Sequence, residues 1–505
     1  MKVLFVYSEF EKGGFKPISI ALLSAFLKNK NIDCRLFDTS LYKISIKGRV
    51  SDIKVAESLA IFPHTELPES TTKQSNEHFV MAFNKTVNAY EPDLIAFTST
   101  TLPFVIVKNL IKGIDNKKPP FLAIGGIHVL HCLQEVKELE IFDYICFGEG
   151  ENVILPIIRH IEKEITAYEI PNTLVKVDNT YITNQRIPLI SNLDELPFYN
   201  WTLFDEYHFW RPYQGKAYRM GDFQTSRGCP YGCLFCFYSK FYNIYNEKKK
   251  VRFYTSDRCI DEMEELSKQY NLHFWKMHDS DLFLRNEDKF VELMEKYKKR
   301  INLPFVCNSN ANSISKVKAK AAKNAGCLSI SIGVETGNER LRNKVLGKAT
   351  SDDSIYRAVQ ILRDNGIRVC SSNMIGFPEE TEEDIRKTIN LNRKANLDLA
   401  EPTFFFPFKG TVLGDYCYEK GYIKENLSNE LINLRLNYYM DMPQIERKTV
   451  INLFKTFPLY MNLPDYFNPI IKRAEKNDET GNEIYKLLNS IVQKIINEKH
   501  RGYTK

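Results

Sequence analysis

The sequence predicts an α/β protein in three parts: a doubly wound parallel sheet, then a partial barrel of six strand–helix units, then a helical end. Three observations carry this. Short apolar runs alternate with helix-patterned stretches through the first third of the chain, as in a parallel sheet covered on both faces. The alternation restarts near Phe223 and repeats six times, short of the eight units of a full barrel. Beyond about Gly421, apolar residues recur only at helical spacing, as with Leu453, Phe457 and Tyr460. A chain of 505 residues is too long for one ordinary core, and four segments are expected: 1–165, a connector at 166–217, 218–420 and 421–505.

In the first segment, residues 3–7, 34–37, 94–97, 121–124 and 143–147 read as strands, and 18–28, 104–114 and 153–162 as helices. Ligands of such sheets bind outside the carboxyl ends of the strands, here 8–14, 98–102, 125–128 and 148–151. Residues 41–80 are polar and broken by Pro63 and Pro68, a surface excursion long enough to cover a cofactor or a substrate. The connector holds a strand-like piece at 173–177 and then Leu193-Asp-Glu-Leu-Pro-Phe198. The barrel strands are expected at 223–226, 273–278, 305–308, 329–333, 368–373 and 401–406. Helices at 257–269, 287–299, 315–324, 352–365 and 382–395 lie between them. Helices at 425–440, 447–460, 466–476 and 483–499 complete the chain, with a core face as the reason for their apolar spacing.

Composition narrows the class. The net charge of +6 comes from scattered lysines such as Lys248 and Lys250, a solvated face rather than a nucleic-acid patch, so no nucleic-acid partner is expected. No apolar run reaches the length of a membrane span, and Met1 to Tyr7 reads as a first strand rather than a signal peptide. Eleven cysteines, an odd number, suit a reducing compartment such as the cytoplasm. Cys259, Cys307, Cys327 and Cys370 fall in helix or strand patterns and read as small buried hydrophobes.

The stretch 226–237, Ser-Arg-Gly-Cys-Pro-Tyr-Gly-Cys-Leu-Phe-Cys-Phe, stands apart. Cys229, Cys233 and Cys236 form a CxxxCxxC spacing within eight residues. A cluster held by three cysteines leaves one iron without a protein ligand, the open position that a reactive metal centre needs. Zinc ordinarily takes four ligands in paired CxxC elements, and no second pair is present. With the aromatic Phe235 ahead of the third cysteine, residues 222–412 resemble the radical S-adenosylmethionine (SAM) enzymes. The resemblance implies that Cys229, Cys233 and Cys236 hold a 4Fe-4S cluster that cleaves SAM. The resulting adenosyl radical abstracts hydrogen from an unactivated carbon, and an external flavodoxin- or ferredoxin-type protein supplies the electron.

By the same resemblance, the strand ends bind SAM. Asp279 and Asp281 of His278-Asp-Ser-Asp281 would accept from its ammonium. Glu335 of Gly333-Val-Glu-Thr-Gly337 would bond the ribose hydroxyls, and Lys348 the methionine carboxylate. Ile375 of Met374-Ile-Gly-Phe-Pro378 would line the adenine. Any one acid alone is as readily a helix cap or a surface ion pair; the matching order of four strand ends carries the reading.

The first segment resembles the Rossmann-like cobalamin-binding domain that precedes many such barrels. Thr100-Thr-Leu102 and Gly125-Gly126 match two of the three motifs that line the corrinoid tail, and Gly148-Glu149 is a further point of likeness. The third motif, DxHxxG, is missing: residues 8–14 hold no histidine, which implies a cobalt without a histidine lower ligand. His128 reads as a loop histidine with satisfied hydrogen bonds. The implied reaction is cobalamin-dependent methylation of an unactivated carbon or phosphorus centre in a small molecule, lipid or peptide. The alternative is a cyclase or oxidative rearrangement enzyme with the same domains and no methyl transfer. A tRNA methylthiotransferase would need a second three-cysteine cluster upstream, and an electron carrier would not need Glu335 or Lys348.

Overall fold

A computed structural model describes the chain except for residues 11–15, 45–51, 70–73, 115–118, 246–249, 424–435 and 502–505. The first sheet contains β1 (Lys2–Tyr7), β2 (Asp33–Asp38), β3 (Leu94–Thr98), β4 (Phe121–Gly125), β5 (Tyr144–Cys146), β6 (Thr173–Val177) and β7 (Thr180–Thr183), in the order β2-β1-β3-β4-β5-β6-β7. The first five are parallel, and the order reverses between β1 and β3, the kind of switch point where ligands settle. Side-chain alternation explains the two-faced burial. Val3 and Phe5 pack with Ile20 of helix Ile18–Lys28 on one face. Leu4 and Val6 pack with Phe83 and Phe104 on the other.

The sheet runs past residue 165, through the segment read as a connector. Asp178 and Asn179 both take positive φ, 47° and 61°, the two-residue turn that matches strand twist. β6 and β7 thereby add an antiparallel hairpin to the edge of β5.

The second sheet is the half-barrel. It comprises β8 (Trp210–Tyr213), β9 (Lys216–Phe223), β12 (Phe274–Met277), β13 (Phe305–Ser309), β14 (Cys327–Glu335), β15 (Arg368–Ile375) and β16 (Leu399–Phe404), ordered β16-β15-β14-β13-β12-β9-β8. Between β9 and β12 lies a short antiparallel pair, β10 (Ser226–Arg227) and β11 (Arg252–Phe253). Helices Ser256–Gln269, Glu287–Arg300, Lys316–Ala325, Asp352–Asp364, Glu382–Lys394 and Val412–Glu419 follow the six parallel strands in turn. Thr255, Asn286, Ser315, Ser351, Thr381 and Thr411 cap them by accepting a backbone N–H, which fixes where each helix begins. The first barrel strand lies earlier than the expected 223–226. Gln214 and Gly215, with φ of 49° and 76°, turn β8 into β9, and the chain leaves the sheet after Phe223.

Helices Arg447–Asn462, Asn468–Ala474 and Glu479–Arg501 close the last strand: Leu453, Phe454 and Phe457 join Ile375, Ile385 and Phe404 in one core. Most of the helix expected at 425–440 lies outside the described residues, and 436–440 are not helical. The polar excursion of the first segment crosses to this end. Asn489 donates to the Ser58 carbonyl at 2.9 Å and Gln493 to that of Phe62 at 3.5 Å. Among the described residues, no helix is long and apolar enough to cross a membrane.

Candidate active site

The cysteine loop is pinned from several sides. The Cys229 amide donates to the Tyr242 hydroxyl at 2.9 Å, the Leu234 amide to the Leu346 carbonyl at 2.9 Å, and the Leu413 amide to the Leu234 carbonyl at 3.0 Å. Gly347, at φ 64°, lets the turn after Leu346 press on this loop; a Cβ there would meet Leu234 Cγ at 2.8 Å and the Gly232 carbonyl at 3.0 Å. Cys229, Cys233 and Cys236 are all half-exposed, whereas Cys259, Cys307 and Cys327 are buried as expected. Cys370 differs, half-buried on the barrel interior. Burial pushes the Cys229 and Cys233 thiols up to about 11 and raises Cys236, with the nearby Lys348 pulling back. Such thiols stay protonated near neutrality unless a cation holds them as thiolates. Three soft donors in one partly open loop fit an iron–sulfur cluster.

Glu335 and Lys348 sit beside this loop, and their charges act on Cys233. A register shift in β14 between Gly333 and Glu335, with Glu335 at φ 65°, turns the carboxylate toward the Lys348 ammonium at 2.8 Å. A left-handed backbone at a non-glycine residue costs about 1–3 kcal/mol and gathers at functional sites. Phe235 packs at the edge of the second core, and Ile375 is wholly buried in it. Ile375 therefore offers only its backbone to the strand end, and its carbonyl already accepts from Phe405.

Asp279 and Asp281 are not where the SAM reading put them. Asp279 is fully buried and accepts from the Thr225 amide and hydroxyl and the Ser226 hydroxyl. Asp281, also buried, accepts from Tyr231, Ser309, Ser313 and the Phe283 amide. Both acids hold the approach to the cysteine loop and the loop itself.

The strand-end edge of the first sheet faces that loop. Thr100 and Gly126 are exposed, and Leu102 packs against a cluster around Phe406 and Phe408. Gly126 has φ 102°, and a Cβ on it would lie 2.7 Å from the Ser99 carbonyl, so Gly125-Gly126 makes a tight turn under an open edge. The His131 ring lies 6.2 Å from that of Phe237, and its Nδ1 lies 3.2 Å from the Lys409 carbonyl. Thr100, Leu102, Gly125 and Gly126 thus lie along one strand-end edge of the first sheet, with half-buried Gly148 at the neighbouring strand end.

Glu149 departs from expectation. Its carboxylate accepts from the Ile190 amide at 2.8 Å and from Arg227 and Arg252 at 3.0 Å each, so it joins the first sheet to the β10–β11 pair rather than facing a cofactor. His128 also departs. It is a buried helix residue stacked on Phe104, with ring centroids 3.9 Å apart and no hydrogen bond to either nitrogen. Burial, with Lys108 adding, pushes its pKa down to about 3, so it is neutral.

Sequence reasoning missed one buried network. Asp222, at the end of β9, pairs with Lys16 at 3.0 Å, Arg211 at 2.7 Å and His278 at 2.7 Å. Burial alone would raise the Asp222 carboxyl, but Arg211, Lys16 and His278 outweigh it and hold it well below the usual range. Burial lowers Lys16 to about 8, against the pull of Asp222. The available signal was a lone lysine, Lys16, at the head of an apolar Pro-Ile run. Inside the half-barrel is a cavity of about 470 Å³, lined in part by Lys276, Asn308 and Ser331 and by Phe62 and Pro63 of the excursion.

Comparison with known proteins agrees with this geometry. Residues 223–391 match the radical SAM superfamily. An uncharacterised methyltransferase of Pyrococcus horikoshii is 25% identical over 400 residues, covering 77% of this chain and 85% of that protein. An anaerobic magnesium-protoporphyrin IX monomethyl ester cyclase of Rubrivivax gelatinosus is 24% identical over 432 residues, 81% of this chain and 68% of its own length. Among solved structures, the radical SAM methyltransferase TsrM of Kitasatospora setae, with cobalamin and a [4Fe-4S] cluster bound, superposes with a TM-score of 0.68 at 15% identity. The match covers 98% of this chain and 99% of that one, a likeness of fold. The three-cysteine loop and the barrel strands from β12 to β15 fall inside the residues matched to the radical SAM superfamily.

Proposed function

We propose that this enzyme uses a 4Fe-4S cluster, SAM and cobalamin to methylate an unactivated carbon or phosphorus centre of a small molecule, lipid or peptide. The observation that carries the reading is the position of the three half-exposed cysteines, between the glycine edge of the first sheet and the half-barrel. When bound, the two cofactors supply the electron that cleaves SAM and the cobalt-borne methyl group. Cys229, Cys233 and Cys236 serve as the three thiolate ligands. Glu335 offers acceptor oxygens suited to the ribose hydroxyls, and Lys348 an ammonium suited to the methionine carboxylate. Their ion pair, at 2.8 Å, holds the two side chains together beside the cysteine loop. Thr100, Leu102, Gly125, Gly126 and Gly148 line the cobalamin edge. Asp279 and Asp281 orient the loop that carries the ligands, and the barrel walls exclude water. An external flavodoxin- or ferredoxin-type protein supplies electrons, and the cytoplasm suits eleven free cysteines.

A second reading, cyclisation or oxidative rearrangement without methyl transfer, is favoured by the similarity to the cyclase of Rubrivivax gelatinosus. Anaerobic reconstitution with cobalamin and methyl-deuterated SAM separates the two. Labelled methyl on cobalamin extracted from the enzyme supports methylation. Formation of 5′-deoxyadenosine with unlabelled cobalamin shifts the assignment to the second reading.

A further inference from the structure

The interior of the half-barrel has an uneven charge pattern. On β12, Trp275 and Met277 point out into the helix-packed core, while Phe274 and Lys276 point in. Phe274, Met220 and Val306 form an apolar floor, and Lys276 lines the same cavity, as do Arg211 and Arg368. The one described hydrogen bond of Lys276 goes to Asn308 Oδ1, at 3.3 Å. Lys276 forms no ion pair with any described residue. Asp222, which influences it, already has Lys16, Arg211 and His278 around it. Glu57 accepts from the Thr65 amide and faces His64. Glu401 lines the cavity from β16, with three strands between it and β12. Burial lowers the Lys276 pKa, the penalty of an ammonium without a counter-charge.

We infer that the half-barrel cavity takes a substrate with an apolar body and one acidic group, a carboxylate or a phosphate, which Lys276 anchors with Asn308 and Ser331 beside it. This rests on the half-barrel being the reaction chamber of the proposed function. The acid binds deep, on the β12 side. The same strand leads on to His278 and to Asp281, which holds Tyr231 of the cysteine loop, so the remainder of the substrate extends toward the cysteines. The apolar floor of Met220, Phe274 and Val306 favours a substrate whose body is apolar.

The test uses a matched pair of fluorescent probes on the full-length, cluster-reconstituted protein. 8-Anilinonaphthalene-1-sulfonate carries an acid; N-phenyl-1-naphthylamine has nearly the same body without one. Lys276→Met should weaken the sulfonate probe about tenfold or more and change the neutral probe by less than about twofold, as loss of a charge-assisted contact requires. Lys276→Arg should recover part of the difference. Octanoate and octyl phosphate should displace the sulfonate probe from the wild type, and the stronger of the two identifies the acid. Equal binding of the sulfonate probe to wild type and Lys276→Met, or no displacement by either acid, overturns the inference. Iron content and melting temperature report whether the variant folds, and Lys276→Gln stands in if Lys276→Met does not. Absence of 5′-deoxyadenosine formation by the wild type would count against the radical reading, not against the anchor.

Discussion

Arg227 and Glu149 lie 3.0 Å apart, an ion pair between the residue two places ahead of the first cluster cysteine and the strand-end loop that follows β5 of the first sheet. Arg227 reaches Glu151 as well, at 2.5 Å, while Arg252 gives Glu149 a second partner. Arg227→Met strands Glu151 and is expected to cost about 3 kcal/mol, as for a partly buried pair broken from one side. Glu149→Gln should cost less than Arg227→Met, because Arg227 keeps Glu151. Chemical denaturation of the apo-protein checks the order, and an equal cost for the two would remove the clamp assignment.

Cys229→Ala is expected to abolish the cluster's visible absorbance and 5′-deoxyadenosine production while cobalamin binding persists. The cysteine loop and the Thr100–Gly126 edge are built from separate elements. Absorbance spectra after reconstitution with each cofactor alone decide this; loss of both together would show that the two sites are not separable.

Gly347→Ala should lower the iron-to-protein ratio. The new methyl would sit 2.8 Å from Leu234 Cγ at a φ of 64°, and the cysteine loop must move to accept it. A melting-temperature change alone, with normal iron content, would assign Gly347 to the fold and not to the cluster.

Lys348→Met should weaken SAM binding about tenfold or more, measured by equilibrium dialysis on the cluster-loaded enzyme. Glu335→Gln should have the smaller effect, since an amide oxygen still accepts from ribose hydroxyls. Unchanged SAM affinity in Lys348→Met would leave the ion pair with Glu335 as a purely structural contact.

His128 gives the first domain an acid sensitivity. Its folded pKa, about 3, lies below the ordinary 6.5. Between those values the unfolded chain holds a proton that the folded chain refuses. Stability contributed by the neutral ring is complete above pH 6.5 and falls as pH drops toward 3, by at most about 1.4 kcal/mol per pH unit. His128→Asn should flatten that slope in apo-protein denaturation between pH 6 and 4; an unchanged slope would assign it to other groups.

Most of the architecture was legible because it is local. The apolar run of β1 and the repeating strand and helix patterns of the barrel announce themselves within a few residues of sequence. The cysteine loop was equally plain, since all its ligands fall in eight residues. What escaped was set by contacts between distant segments. Asp279, Asp281 and Glu149 carry the residue types of a ligand site, but their partners Thr225, Tyr231 and Arg227 approach only in the folded chain. The Lys16–Asp222 pair spans 206 positions, and nothing near either residue points to the other. The β6–β7 hairpin was hidden for a different reason: Asp178-Asn179 forms its turn without the glycine that usually marks one.

Contacts from Asn489 to Ser58 and from Gln493 to Phe62 each join positions 431 residues apart. Phe62 also lines the half-barrel cavity, so a wall supplied early in the chain is held in part by helix Glu479–Arg501. Cutting the chain between helix Asn468–Ala474 and helix Glu479–Arg501 would leave both sheets intact and loosen the wall that Phe62 and Pro63 lend the cavity.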